Sequence, residues 1–252
     1  MKKRIGIAVL GLGWMGQAHS RAALRIASLF PDAKFKPELV VCADVEQSRR
    51  DRAVNDFGFA RAVPGFEEAV SAKDVDAVWV TAPNMLHVPM ITAAAAAGKA
   101  IFSEKPIGGT PAQTVEAFKI ATKHSTATGV GYNYLWSPLV IHARELISSG
   151  AIGRVTHYRG RFLSMYGSDE LGLLTWRFKF AQAGYGVTSD ILSHSVSLAH
   201  FLVGDIAEVT GMKNNTITHR PLPTGAASHY GRGKATDPKG EVENEDFASM
   251  LC

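Results

Sequence analysis

The 252-residue chain reads as an α/β protein: a doubly wound parallel sheet over residues 1–133, then an α+β domain over 134–252 with an open, mostly antiparallel sheet. Three features predict this. Fully apolar, strand-length runs alternate with helix-period segments through the first half, the pattern of a parallel sheet covered on both faces. A glycine-rich turn stands between the first strand and the first helix. Past about Tyr134 the alternation gives way to long strand-like runs separated by one helix, which implies antiparallel pairing.

Taken in order, Ile5 to Leu10 is a short apolar strand, and Met15 to Phe30 is a helix with apolar residues at helical spacing through Ala22, Ala23, Ile26 and Leu29. Glu38 to Asp44 forms the second strand and Glu46 to Phe57 a polar helix. The alternation continues through a strand (Val75 to Thr81), an alanine-rich helix (Val88 to Ala97), a strand (Ala100 to Ser103), a helix (Pro111 to His124) and a strand (Thr128 to Tyr132). The second half begins with a helix from Pro138 to Ser149 and a Gly150-Ala151-Ile152-Gly153 turn. Arg154 to Tyr166 and Glu208 to Thr218 read as strands, with a helix near Ser189 to Val203 between them. Pro221 to Gly240 is rich in Pro, Gly, Ser and Lys and reads as a mobile surface loop. Phe247 to Cys252 has strand composition without a turn, partner or polar tail after it. An apolar strand left at a sheet edge is normally covered, so the sequence is expected to be a fragment of a longer protein.

Composition narrows the function classes. With 46% hydrophobic and 20% charged residues the chain can bury a core. Its 27 Lys and Arg against 23 Asp and Glu leave a net charge of +4, too small and scattered for a nucleic-acid surface and suited to a small anionic ligand. Only Cys42 and Cys252 occur, so no disulfide framework is implied and a reducing, cytoplasmic setting is expected. The basic start, Met1-Lys2-Lys3-Arg4, imitates a signal peptide, but the apolar run after it enters the glycine turn with no cleavage site between. No run reaches the roughly 18 apolar residues of a membrane span.

Gly11-Leu12-Gly13-Trp14-Met15-Gly16 follows a strand and opens a helix, the context that gives G-x-G-x-x-G its meaning as a dinucleotide loop. Gly11 permits the turn, Gly13 lets the backbone approach a pyrophosphate and Gly16 lets the helix pack on the sheet, while the helix N-terminus favours negative charge. No Lys-Ser/Thr follows, so the loop is not of the nucleoside-triphosphate type. Asp44 closes the second strand, where a carboxylate accepts ribose hydroxyls and repels a 2′-phosphate. NAD is therefore expected ahead of NADP, which Arg49 and Arg50 would accommodate. Thr81-Ala82-Pro83-Asn84 and His87 stand at the end of another strand and border the same edge, where open α/β sheets take ligands. Glu104-Lys105-Pro106 lies at a further strand end, and proline keeps Lys105 out of the helical region with its amine projecting from the sheet edge. Asp190 and His194 stand four apart on the expected helix, where a carboxylate beside an imidazole orients it and raises its basicity. No metal site is expected: His200 lies on another face, and there is no cysteine pair and no His-Glu-x-x-His motif.

These motifs together resemble the Gfo/Idh/MocA oxidoreductases, which include inositol and glucose–fructose dehydrogenating enzymes. The matching residues are Gly11 to Gly16 with His19, Pro83-Asn84 with His87, Glu104-Lys105-Pro106, Gly131-Tyr132-Asn133-Tyr134 with Pro138, Gly150 to Gly153, and Asp190 and His194 with Gly204, in family order along nearly the whole chain. The resemblance implies a Rossmann domain followed by a domain carrying substrate and subunit contacts, in a homo-oligomer and with members that usually run longer than this chain. It implies hydride transfer between nicotinamide and a secondary alcohol of a sugar, sugar derivative or polyol. The catalytic set is Lys105, Asp190 and His194, and Glu104 joins the cofactor-binding residues. Asn133, Trp176 and Arg177 would contact substrate, Trp176 offering an aromatic face and Arg177 a fork of donors. Leu135, Leu192 and Ser197 depart from common family residues, so substrate preference is not inherited with the motifs. The other functions open to this fold are a dinucleotide-binding sensor and an NAD-assisted glycosidase.

Overall fold

The computed structural model describes residues 2–225 and 230–252. It divides into two compact units, Met1–Gly131 and Tyr132–Cys252.

The first unit is a six-stranded parallel sheet. Its strands are β1 (Lys3–Leu10), β2 (Phe35–Ala43), β3 (Arg61–Val63), β4 (Ala77–Val80), β5 (Ala100–Ser103) and β6 (Thr128–Val130), in the spatial order β3-β2-β1-β4-β5-β6. Helices α1 (Trp14–Leu29), α2 (Gln47–Phe57), α3 (Phe66–Ser71), α4 (His87–Ala96) and α5 (Pro111–Lys123) form the crossovers. The strand order reverses between β1 and β4, the topological switch point at which such sheets take ligands.

Side-chain alternation explains why β1 is apolar at every position from Ile7 on. Ile7 and Val9 point to one face, with Ala23 of α1 and Ala53 and Phe57 of α2. Ala8 and Leu10 point to the other, with Val70 of α3 and Val88, Ile91 and Ala95 of α4. A strand buried on both faces has no polar side to show. Helix α5 starts on a proline after Thr110, whose hydroxyl accepts the Gln113 N–H at 3.3 Å and satisfies one of the orphan donors of the first turn. At three and six residues, β3 and α3 are too short to show a period in the sequence.

The second unit holds α6 (Pro138–Ser148), the short α7 (Phe180–Ala183), a π-helical turn at Thr188–Leu192 and α8 (Ser193–Leu202). Two antiparallel ribbons accompany them. Strand β7 (Thr210–Asn214) pairs with β10 (Phe247–Leu251), and β8 (His219–Pro221) pairs with β9 (Lys239–Glu241). The expected helix near 189–203 is therefore a π turn running into an α-helix.

Two expectations need correction. Arg154 to Tyr166 carries strand composition but forms no strand. Among the described residues no ladder pairs with it, and β propensity is realised only where a neighbouring edge supplies hydrogen bonds. Conversely, the strand near the chain end does have a partner, with Phe247 opposite Asn214 and Leu251 opposite Thr210. The segment read as a surface loop is bounded by β8 and β9, and its residues 226–229 lie outside the described residues. Among the described residues no helix is long and apolar enough to cross a membrane.

Candidate functional site

In the first unit, the predicted coenzyme residues converge on the carboxyl ends of β1, β2, β4 and β5. The turn after β1 is held from three sides. Gly11 N–H donates to Ala43 O at 2.8 Å, Thr81 Oγ1 donates to Gly11 O at 2.6 Å, and Leu12 N–H donates to Asp44 Oδ2 at 2.7 Å. Gly11 has φ +94°, and a Cβ there would lie 2.7 Å from the Ala82 backbone, so both conformation and space demand glycine. Gly16 touches the same turn: a Cβ on it would stand 2.0 Å from Gly11 O. Gly13 differs, since a Cβ there would meet nothing within 4 Å. It caps α1 without a side-chain hydrogen bond, and the first turn contains no acidic residue.

This arrangement fits a dinucleotide pyrophosphate. Open space beside Gly13 lets a ligand reach the backbone, and the helix end lacks a competing carboxylate. Trp14 is exposed and Met15 half-buried on that first turn. Asp44 is buried, and its Oδ1 also accepts the Glu46 N–H at 2.9 Å while Arg49 stands 3.5 Å from Oδ2. It thus fastens the glycine turn to β2, a task the sequence does not reveal, and still has lone pairs for ribose hydroxyls. Arg50 donates to the Asp44 carbonyl.

Asn84 is buried at the start of a short 3₁₀ turn, Asn84–Leu86. His87 was expected to border the cofactor, but it is 1% exposed and both ring nitrogens face main-chain carbonyls: Nδ1 lies 2.8 Å from Pro106 O and Nε2 2.8 Å from Ala82 O. Burial pushes its pKa down, against the pull of those carbonyls and of Glu104. Its ring ties two loops of the site to each other. Glu104, also expected at the cofactor, is buried and turned inward, with Oε1 2.7 Å from His19 Nε2 and Oε2 accepting the Lys105 N–H at 3.2 Å. Lys105 is half-buried, followed by a cis peptide to Pro106. Thr81, expected at the same edge, spends its hydroxyl on the glycine turn.

In the second unit, His194 is buried at the start of α8 inside an aromatic shell. Tyr134 meets its ring edge-on at 4.8 Å, Tyr132 edge-on at 5.7 Å, and Phe162 lies nearly parallel at 5.9 Å. Burial raises the Tyr132 pKa, so this phenol stays neutral. Asp190 sits in the π turn preceding α8. That turn is anchored by Glu245, whose carbonyl accepts the Val187 N–H at 2.9 Å and whose Oε1 accepts the Thr188 N–H at 3.1 Å. Glu245 is a positioning group that no motif flags, because it reaches the turn from far along the chain. Trp176 and Arg177 share a 3₁₀ turn, with the guanidinium 4.4 Å above the indole and 5.9 Å from the Tyr166 ring centre. Asn133 is exposed at the head of the turn Asn133–Trp136.

Both halves of the chain match known protein domains. Residues 5–132 match the model described as oxidoreductase family, NAD-binding Rossmann fold, and residues 140–252 match the GFO/IDH/MocA C-terminal domain. Levoglucosan dehydrogenase of Pseudarthrobacter phenanthrenivorans is 31% identical over 245 residues, 97% of this chain and 63% of the relative. The scyllo-inositol 2-dehydrogenase (NAD(+)) of Bacillus subtilis is 28% identical over 219 residues, covering 85% and 58%. A solved levoglucosan dehydrogenase in complex with NADH and levoglucosan superposes with a TM-score of 0.88 at 29% identity over 98% of this chain and 63% of that one. The chain thus spans less than two thirds of the length of these relatives. Matched by both domain models in order, it belongs to the GFO/IDH/MocA oxidoreductase family.

Proposed function

We propose that the chain is the coenzyme-binding and catalytic part of an NAD-dependent oxidoreductase that transfers a hydride between nicotinamide and a secondary alcohol of a sugar or polyol. The observation that carries this reading is the glycine turn of the first unit, with the open side of Gly13 and the buried Asp44 carboxylate arranged as a dinucleotide seat. The named relatives support the substrate class: one acts on levoglucosan, the other on scyllo-inositol.

Residues 13–16 would hold the pyrophosphate by their main chain and Asp44 the adenosine ribose, which favours NAD. When bound, NAD supplies an electron-deficient nicotinamide ring as the hydride acceptor. Lys105 donates to the substrate oxygen and stabilises negative charge as it develops. His194 removes the hydroxyl proton, Asp190 orients its ring, and the reverse reaction uses the same groups. The aromatic shell of Tyr132, Tyr134 and Phe162 restricts the imidazole and keeps water from it. Trp176, Arg177 and Asn133 select among sugars by stacking and hydrogen bonding. The full-length protein is a cytoplasmic homo-oligomer in this reading.

The test is NADH formation over a panel containing levoglucosan, scyllo-inositol and related polyols. Lys105→Ala and His194→Ala are expected to bind NADH like the unaltered protein while losing turnover about a hundredfold or more. Tight NADH binding with no redox turnover on any alcohol, in the chain and in its full-length form, would support a sensor instead. Unchanged turnover in either variant would remove that residue from the catalytic set.

A further inference from the structure

We propose that His19 is a positioning residue that acts on Lys105 through Glu104. This rests on the catalytic role assigned to Lys105 above. His19 belongs to α1, the helix that opens on the glycine turn, and its Nε2 lies 2.7 Å from Glu104 Oε1. The other carboxylate oxygen accepts the main-chain N–H of Lys105 at 3.2 Å. The side chain of Glu104 is 9% exposed and that of His19 21%, so the contact forms where an unpaired carboxylate is costly.

Three further features make the linkage rigid. The carboxylate rests on Gly131, where a Cβ would stand 2.8 Å from Oε1 and 3.0 Å from Cδ and Oε2. The His19 ring is wedged between Phe102 and Trp79, edge-on at 5.2 and 5.9 Å, and these two rings meet edge-on at 6.4 Å. On the far side of Lys105, the Pro106 carbonyl is 2.8 Å from His87 Nδ1. The lysine is therefore bracketed by two imidazoles from two helices, one acting on the side chain before it and one on the carbonyl after it. With Glu104 spent on this bracket, its contribution is to hold Lys105 in place rather than to touch the coenzyme. A hydrogen on His19 Nε2 suffices for the contact in either protonation state.

The test compares His19→Ala with His19→Gln, whose amide nitrogen can replace Nε2 as donor. The readout is the rate at which each lysine is acetylated by acetic anhydride, followed by peptide mass spectrometry. Lys99, which donates to the carbonyls of Ala72 and Val75 at 2.9 and 2.8 Å, is the internal control. In His19→Ala the released Glu104 carboxylate can turn to the adjacent ammonium and ion-pair with it, which withholds the amine from the reagent, so Lys105 acetylation is expected to slow at least about threefold. Lys99 should be unaffected, and His19→Gln should restore the Lys105 rate to within about 1.5-fold. Turnover is expected to follow, falling about tenfold in His19→Ala with NADH affinity unchanged. A Lys105 rate in His19→Ala that is unchanged or faster, or a His19→Gln rate as altered as that of His19→Ala, overturns the proposal. Should His19→Ala not fold, His19→Leu, which fills the space between Phe102 and Trp79 without a donor, takes its place in the same comparison. The acetylation readout needs no enzyme activity, so failure of the catalytic reading shows separately, as absence of turnover in the unaltered protein.

Discussion

Alanine at Gly13 and at Gly16 should separate two jobs that one glycine turn performs. At Gly16, in the first turns of α1, the added methyl would lie 2.0 Å from Gly11 O, 3.0 Å from Gly11 C and 3.1 Å from Thr81 Oγ1. That is about 1 Å inside the closest contact a real Cβ makes, and main chain cannot rotate away from it. Either helix α1 moves off the turn or the turn opens. Such overpacking costs about 1–3 kcal/mol, offset by up to about 1 kcal/mol from the better helix propensity of alanine. Gly16→Ala should therefore unfold at lower urea by a net loss of up to about 3 kcal/mol and lose NADH affinity as well. At Gly13 the methyl meets no protein atom within 4 Å, and φ −63° suits alanine. The lost N-cap preference and the smaller unfolded-state entropy are each a few tenths to about 1 kcal/mol and opposite in sign. Stability should stay within about 0.5 kcal/mol, yet the methyl would fill the space through which a pyrophosphate reaches the backbone, and NADH affinity measured by fluorescence titration should fall at least about tenfold, or 1.4 kcal/mol. Undiminished NADH affinity in a folded Gly13→Ala protein would refute the assignment of that space.

Other features give sharper stability tests. Asp74 accepts two hydrogen bonds from Arg61, at 2.9 and 2.7 Å, which bring its pKa down to about 2 from the ordinary 3.8. A depressed folded-state pKa stabilises above the unfolded value and is lost as pH falls through the folded one. Arg61→Ala should therefore cost less than about 1 kcal/mol at neutral pH, the pair being half exposed, and the gap from the unaltered protein in urea titrations should close between about pH 4 and pH 2. Cys42 is buried, its thiol pushed up to about 12 by burial and then by the Asp44 charge, whereas Cys252 is exposed; Ellman's reagent should count one fast thiol in the native protein and two in denaturant. Arg220 is 1% exposed, donates to the carbonyls of Asp169, Gly172 and Gly167 and lies 4.2 Å over the Phe178 ring. Arg220→Met should cost about 2–4 kcal/mol, seen in urea unfolding followed by tryptophan fluorescence, and a cost below about 1 kcal/mol would show that the 167–172 segment does not depend on it.

Legibility from sequence followed the burial of each segment. The two-sided strands β1, β2, β4 and β5 are apolar because both faces are covered, and that constraint is local enough to read without coordinates. The glycine turn is legible for the same reason, since the positive φ of Gly11 and the packing of Gly16 on Gly11 O are set within a few residues. Arg154 to Tyr166 reads as a strand and is not one because pairing is a property of two segments, and composition reports only one. Glu245 escapes notice because it acts across a long sequence separation, through a carbonyl and a carboxylate that each accept a main-chain N–H. No periodicity marks such a contact.

His87 and Glu104 show where motif reading stops more generally. Both stand beside the loops expected to take the coenzyme, and both spend their polar atoms on main chain or on another side chain of the unit. Position at a strand end is visible in sequence, but side-chain direction is not, and direction decides between touching a ligand and holding a neighbour. Here direction follows from room: Gly131 leaves space for a carboxylate to fold back under β5, and the carbonyls of Ala82 and Pro106 stand on either side of one imidazole. A site whose exposed groups are few and whose buried groups fix the loops needs little reorganisation when charge develops, which is the condition under which preorganised donors act most strongly. In the proposed mechanism the neighbours of Lys105 would therefore hold the lysine, Glu104 through its N–H and His87 through the Pro106 carbonyl.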